Sequence, residues 1–476
     1  MRKRITVLLT LALVIATVAG VSAQLGSDSV THNTSWTFQN LGESTAEVTV
    51  DLYDTTGEAI VDDESFNVEA SASFWAPDYT PLGDATFNGS LVAMSSEPLA
   101  SISNQVAANA TSGKSGNATY MGFTNDNVAP TMYAPVVMKS FAGLYWTELS
   151  IQSAGGDTTV TVTYYDQTGA EEASSTHEVK AGSPVRVAQE DEAGLPADFN
   201  GSVVVASQDG TTPLALVVNE FVGSGNGMYN QFYSYEGFAE GSTRVVLPAV
   251  FINGYGGTYQ ASTSVQNLSG PTPAANVTWY FYDVDAADPT TAVYSYTESI
   301  ATSKSVYFPS ADYADTLTGA DGEWVGTVVL ESDQPLIAIV NELAGGYWAA
   351  SYTGLAEGAD ELYFPLAFVN GYGFAQTSFS IADLSDTPGG DVSVTVEYIA
   401  DKTGCPGCSD QSVPYTFQNT DSKYQPDHVP AAALSDGTFI GSIRITSNKP
   451  IGGIMNEIIG AFDQDSFTSF NAFVAP

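Results

Sequence analysis

Four copies of one short pattern divide this chain into modules. Gly89-Ser90-Leu91, Pro98-Leu99 and Asn104 are echoed by Gly201-Ser202-Val203, Pro213-Leu214 and Asn219, then by Gly326-Thr327-Val328, Pro335-Leu336 and Asn341, and last by Gly441-Ser442-Ile443, Pro450-Ile451 and Asn456. The glycines lie 112, 125 and 115 residues apart, and each asparagine follows its proline by 6. Solenoid repeats run to about 20–50 residues, so a period this long is a whole domain. The chain reads as four similar domains, 24–128, 129–241, 242–358 and 359–476, after a leader at 1–23.

Between these landmarks apolar and polar residues alternate, with β-branched and aromatic side chains in excess. Val48-Thr49-Val50-Asp51-Leu52-Tyr53, Val160-Thr161-Val162-Thr163-Tyr164-Tyr165 and Val277-Thr278-Trp279-Tyr280-Phe281-Tyr282 are period-two runs, the pattern of strands with one buried face. Asp54-Thr55-Thr56-Gly57 and Asp166-Gln167-Thr168-Gly169 follow directly, with an acceptor side chain first and glycine last, as a β-turn requires. In the third module eight runs, near 244–251, 260–266, 277–283, 293–298, 305–308, 324–332, 336–341 and 349–354, predict short strands. No helical period of useful length follows the leader. The prediction is all-β: four tandem Greek-key β-sandwiches, immunoglobulin-like or fibronectin-like in the loose architectural sense, since no module brackets a tryptophan with paired cysteines. The joins between modules are short and apolar rather than rich in Gly and Ser, which predicts abutting modules in an elongated rod.

Arg2, Lys3 and Arg4 precede an apolar run from Ile5 to Val18 and the small residues Val21-Ser22-Ala23, the three parts of a cleaved secretory leader. The mature chain is expected to begin at Gln24 and to be secreted, extracellular or on the cell surface, with no membrane insertion of its own. In modules two to four a proline-bearing run at Pro135, Pro248 or Pro365 lies 17 or 18 residues before a recurring strand position. The same step back from Gln39 lands inside the leader, so the mature first module is expected to lack its opening strand. An unfilled sheet edge accepts a strand from another chain.

Acidic residues number 54 against 13 basic ones, a net charge of −41, and 43% of the chain is apolar. The field repels nucleic acid and anionic membrane surfaces, and the apolar share is that of a folded chain. The three histidines, His32, His177 and His428, fall in different modules at unmatched positions, so no catalytic triad is expected and the chain is not read as an enzyme. Cys405-Pro406-Gly407-Cys408 reads first as a local disulfide clamping a loop, with redox shuttling and half a zinc site as alternatives. Asn219-Glu220, Asn341-Glu342 and Asn456-Glu457, with Asn104-Gln105 in the first module, recur; the asparagine is expected to bond nearby backbone where its strand ends.

Asp283, Asp285 and Asp288 share one acidic turn and are the candidate calcium ligands, although the spaced loop with central glycine and terminal glutamate is missing. No other cofactor is expected. Glycine-aromatic loops offer the candidate contact surface: Tyr145 and Trp146, Tyr255 and Tyr259, Tyr347 and Trp348, Tyr372 and Phe374, joined by Trp36 and Phe38 in the first module. Stacking on sugars, contact with a partner protein and packing at module joins all stay open for them.

Gln266-Asn267-Leu268-Ser269-Gly270, Tyr164-Tyr165-Asp166, Phe199-Asn200-Gly201-Ser202 and Pro335-Leu336-Ile337-Ala338-Ile339-Val340-Asn341-Glu342 resemble tandem β-sandwich repeats of secreted, mostly uncharacterised bacterial cell-surface proteins. The resemblance covers the chain beyond the leader and implies an extracellular β-sandwich array, with no catalytic motif to carry over. The expected function is structural or adhesive: a subunit of an extracellular filament or surface layer, self-associating non-covalently through strand edges and aromatic contacts. The alternative is an array of carbohydrate-binding modules that holds glycans on its glycine-aromatic loops.

Overall fold

A computed structural model describes residues 12–18, 30–70, 73–76, 88–109, 115–224, 228–268, 274–286, 288–309, 314–318, 322–345, 348–385, 389–460 and 465–474. It is all-β and built of antiparallel sheets, as the alternation predicts. The helices among the described residues are single turns, and none is long and apolar enough to cross a membrane.

Residues 131–236 show the plan. Strands Glu171–Val179, Thr158–Asp166, Phe199–Ser207 and Thr131–Lys139 pair in that order in one sheet; Pro184–Ala188, Tyr145–Ser153, Leu214–Ser224 and Met228–Glu236 pair in a second. The chain changes sheet at most connections, so alternate residues of both meet in one core. Leu149, Ile151, Val160, Val162, Tyr164, Val203 and Val205 are all fully buried there. The same two strand orders recur in the first segment, at residues 12–121. In the third and fourth segments one 21-residue strand, Trp324–Ala344 or Phe439–Ile459, runs through both sheets and joins them. The runs expected separately at 324–332 and 336–341 are therefore one strand.

The repeated landmarks have distinct physical jobs. A Cβ at Gly201, Gly326 or Gly441 would collide with the carbonyl oxygen of Tyr165, Tyr282 or Ile399 on the neighbouring strand, so only glycine permits that approach. The carbonyls of Pro98, Pro213, Pro335 and Pro450 accept the backbone N–H of Leu41, Ala154, Leu268 and Leu384 at 2.8, 2.9, 2.9 and 2.9 Å. Proline fits because its carbonyl is used while its missing N–H is not needed at that point of the ladder. The predicted turn at 166–169 closes through Gly169 N–H to Asp166 O at 2.9 Å, with Gly169 at φ 87°.

The opening strand of each segment is paired in the same place. Thr131–Lys139, Ser242–Ile252 and Ala359–Val369 lie along the strands that begin at the recurring glycines. In the first segment that place is taken by Ala12–Val18, paired from Ala12 with Ser95 to Val18 with Gly89. The strand expected to be absent after leader removal is thus supplied by the apolar run itself. Val30–Asn40 forms the next strand.

The elongated rod is not what the chain forms. The last strands of the four segments, Ser115–Met121, Met228–Glu236, Trp348–Thr353 and Phe467–Asn471, pack in a closed circuit, the fourth returning to the first. Ala100 and Ile102 share a core with Phe364, Ile381 and Met455 of the fourth segment. Ser183 Oγ donates to Asp54 O at 2.6 Å and Ser202 Oγ to Ser303 O at 2.7 Å, tying neighbours together. The accessible surface is 18761 Å². A compact body of this mass should expose about 17,000 Å² and four separate quarters about 25,000 Å². The difference, about 6,000 Å², gives each of four contacts roughly 1,500 Å², the size of a stable interface. Short apolar joins set the closeness of neighbours but not the angle between them, and closure covers edge strands that a rod would leave open.

A candidate functional site where the four last strands meet

The recurring asparagine sits opposite a hydroxyl on the last strand of its own segment: Asn104 faces Thr119, Asn219 faces Ser234, Asn341 faces Ser351 and Asn456 faces Ser469. Each hydroxyl donates to the asparagine Oδ1, at 2.5 Å from Thr119 and 2.6 Å from Ser234, with closer contacts from Ser351 and Ser469. That leaves the amide nitrogen pointing out of the segment. Asn341 Nδ2 donates to Glu220 Oε2 of the preceding segment at 3.2 Å, and Asn456 donates likewise to Glu342. Asn104 Nδ2 reaches Glu457 Oε2 at 3.5 Å, a weak bond that spans the seam between first and last segments. The expected local backbone role is therefore corrected: the pair clasps one segment to the next.

Glu220, Glu342 and Glu457 are each fully buried. Burial pushes all three carboxyls up to about 8; amide and hydroxyl donors oppose this at Glu220 and Glu342. At neutral pH they are mostly protonated. A neutral Glu220 can donate to Ser351 Oγ, 3.5 Å away, whose own proton goes to Asn341, and Glu342 stands 3.2 Å from Ser469 in the same relation. In the first segment Gln105 takes the glutamate's place; neither its side-chain atoms nor Asn219 Nδ2 has a partner among the described residues.

Other side chains seal the strand edges. Asp465, fully buried, accepts Phe232 N–H at 2.6 Å and Ala349 N–H at 2.9 Å, and so holds segments two, three and four together. Burial drives its carboxyl well above the usual range. Glu236 accepts Met121 N–H, and burial raises it to about 7. Asn471 Nδ2 donates to Thr353 O at 2.9 Å and Thr353 Oγ1 at 2.7 Å. Sequence reading found the Asn-Glu pairs but missed Thr119, Ser234, Ser351, Ser469 and Asp465. The hydroxyls could have been found as the polar break in each module-ending aromatic run; Asp465 has no counterpart in the pattern.

The candidate aromatics scatter. Trp36 and Phe38, expected at an interface, are buried in the first segment's core. Tyr145 packs with Tyr233 and Ala349, and Trp146 with Phe221 and Phe232, both at joins between segments. Tyr259 meets Phe467 of the fourth segment edge to face, with ring centroids 5.9 Å apart. Trp348 is partly buried and its carbonyl accepts Gln231 Nε2 at 3.4 Å. Tyr255, Tyr372 and Phe374 are 56%, 39% and 41% exposed, and Tyr347 lies outside the described residues.

Asp283 and Asp288 serve their own turn, accepting Asp285 N–H at 2.8 Å and Thr290 N–H at 3.1 Å. The carboxylates that do converge among the described residues are Asp51, Asp62 and Asp63, of which Asp51 accepts Asp63 N–H at 2.9 Å. Cys405 and Cys408 are joined in a disulfide, with Lys402 Nζ on Cys408 O at 2.8 Å. His177 meets Ser175 at 2.9 Å and Glu192 at 3.6 Å, but both address Nε2, whereas a nucleophile and an orienting acid need opposite ring nitrogens.

No protein-family model matches the chain, and no curated protein matches it significantly.

Proposed function

We propose that this is a secreted structural or adhesive protein, a subunit of an extracellular filament or surface layer. In this reading four immunoglobulin-like or fibronectin-like β-sandwiches form one closed block, and blocks join non-covalently. The observation that carries the reading is the pairing of Ala12–Val18 with Gly89–Ser95, in the place Thr131–Lys139, Ser242–Ile252 and Ala359–Val369 fill elsewhere. Removal of the leader empties that place and leaves an edge whose natural occupant is a strand from a second copy. The exposed rings of Tyr255, Tyr372 and Phe374 supply lateral contact area.

The test is electron microscopy and sizing of protein starting at Gln24, with and without a synthetic peptide of residues 9–21. Polymers that the peptide caps into single blocks are expected. A monodisperse single chain under both conditions would overturn the reading.

A further inference from the structure

We propose that the cleft between the second and third segments binds one neutral sugar ring. This site goes beyond the assembly reading and stands whether or not the chain polymerises. The cleft encloses about 170 Å³. Drug-sized pockets run to about 300–1,000 Å³, so the occupant is a single ring rather than a chain. Its walls combine aromatic rings with Val136, Met138 and Leu343, and its polar groups are amides and hydroxyls. Tyr145 and Tyr233 come from the second segment, Tyr307 from the third, and Asn200, Ser262 and Ser264 stand among them.

That lining selects by chemistry. A pyranose presents C–H faces to aromatic rings and hydroxyls to amides and serines. Lining residues carry no charge, so nothing in the cleft pairs with an anion or ligates a metal ion, and the −41 net charge disfavours acidic ligands further. Tyr307 is 52% exposed and forms an accessible wall, while Tyr233 is 2% exposed and forms the floor.

The cleft is also where the fold stops repeating itself. Tyr307 pairs with Ser264; the strand register puts Trp75, Arg186 and Ser422 in the corresponding positions of the other segments. Tyr233 lies opposite Glu220, and its counterparts opposite Gln105, Glu342 and Glu457 are Ala118, Ala350 and Thr468. At the Tyr233 position the other three segments manage with small residues, and at the Tyr307 position none of them has a tyrosine. Here two tyrosines are brought to one junction, and they open a lined cavity rather than fill it.

The test uses the full chain, with glucose, galactose, mannose and N-acetylglucosamine as probes in saturation-transfer NMR and calorimetry. Binding of at least one with a roughly millimolar Kd is expected, weakened about tenfold by Tyr307→Ala, which alters a half-exposed side chain. Tyr372→Ala, in the fourth segment, should leave it unchanged. Absence of transfer from all four sugars at tens of millimolar would overturn the proposal. So would binding that Tyr307→Ala leaves intact, or glucuronate binding as well as glucose.

Discussion

Raising the pH from 5 to 8 should loosen the contacts between segments, because it forces charge onto three carboxyls that burial at the clasps keeps protonated. Glu220, Glu342 and Glu457 stand at about 8 in the fold, against 4.5 for an ordinary glutamate. A carboxyl raised by folding binds its proton more tightly in the native state, so its stability contribution is complete below about 4.5 and falls as pH climbs toward 8. At 1.36 kcal/mol per unit, each group loses about 5 kcal/mol across that window, and the three together about 4 kcal/mol per pH unit. For a chain of this length the unfolding entropy makes this about 4 °C in Tm per pH unit. Thermal melts by circular dichroism from pH 5 to 8 would read it. General self-repulsion of an acidic chain also grows with pH, but salt near 1 M screens that and leaves a buried titration in place. The triple variant Glu220→Gln, Glu342→Gln, Glu457→Gln should cut the slope to roughly half, the rest being carried by Glu148, Glu236 and Asp465, which burial also raises. Gln105 shows that the position accepts an amide. A Tm flat across this range in high salt, or a slope unchanged in the triple variant, would refute the reasoning.

Asn341→Ala removes the donor to Glu220 and the acceptor for Ser351, and should cost about 1–3 kcal/mol by denaturant titration. Asp465→Ala strands the buried N–H groups of Phe232 and Ala349; a loss of about 2–5 kcal/mol is expected, with faster hydrogen exchange at both amides. Gly326→Ala drives a methyl into the Tyr282 carbonyl and should cost about 1–3 kcal/mol, whereas Gly156→Ala, whose Cβ meets nothing, should be near neutral. Reducing Cys405–Cys408 releases a loop closed over a separation of 3 residues, so the midpoint should fall by no more than about 2 kcal/mol.

Much of the fold was legible because strands leave a period-two trace and turns need particular residues. Val160 to Tyr165 and Asp166 to Gly169 form the strand and turn their pattern predicts. The closing of the chain was not legible, because the residues that carry it look local. Asn341 and Glu220 are 121 positions apart, and nothing in Asn341-Glu342 says that the amide turns outward. Tyr145, Trp146 and Tyr259 were legible as contact residues, but not which join each would fill. Trp36 and Phe38 carried the same aromatic signal and are core, since composition cannot tell an inward face from an outward one. The small residues that let strands approach, such as Gly116 against Phe232, leave no periodic trace at all.

Small-angle X-ray scattering of the full chain tests the closed circuit most directly. Four segments packed in a ring should give a radius of gyration of about 23–27 Å, near that of one compact body of this length. Four sandwiches end to end would give about 40 Å. A value in the lower range at pH 6, with Asn104 and Glu457 accordingly on one seam, is the expected result, and one near 40 Å would contradict the account.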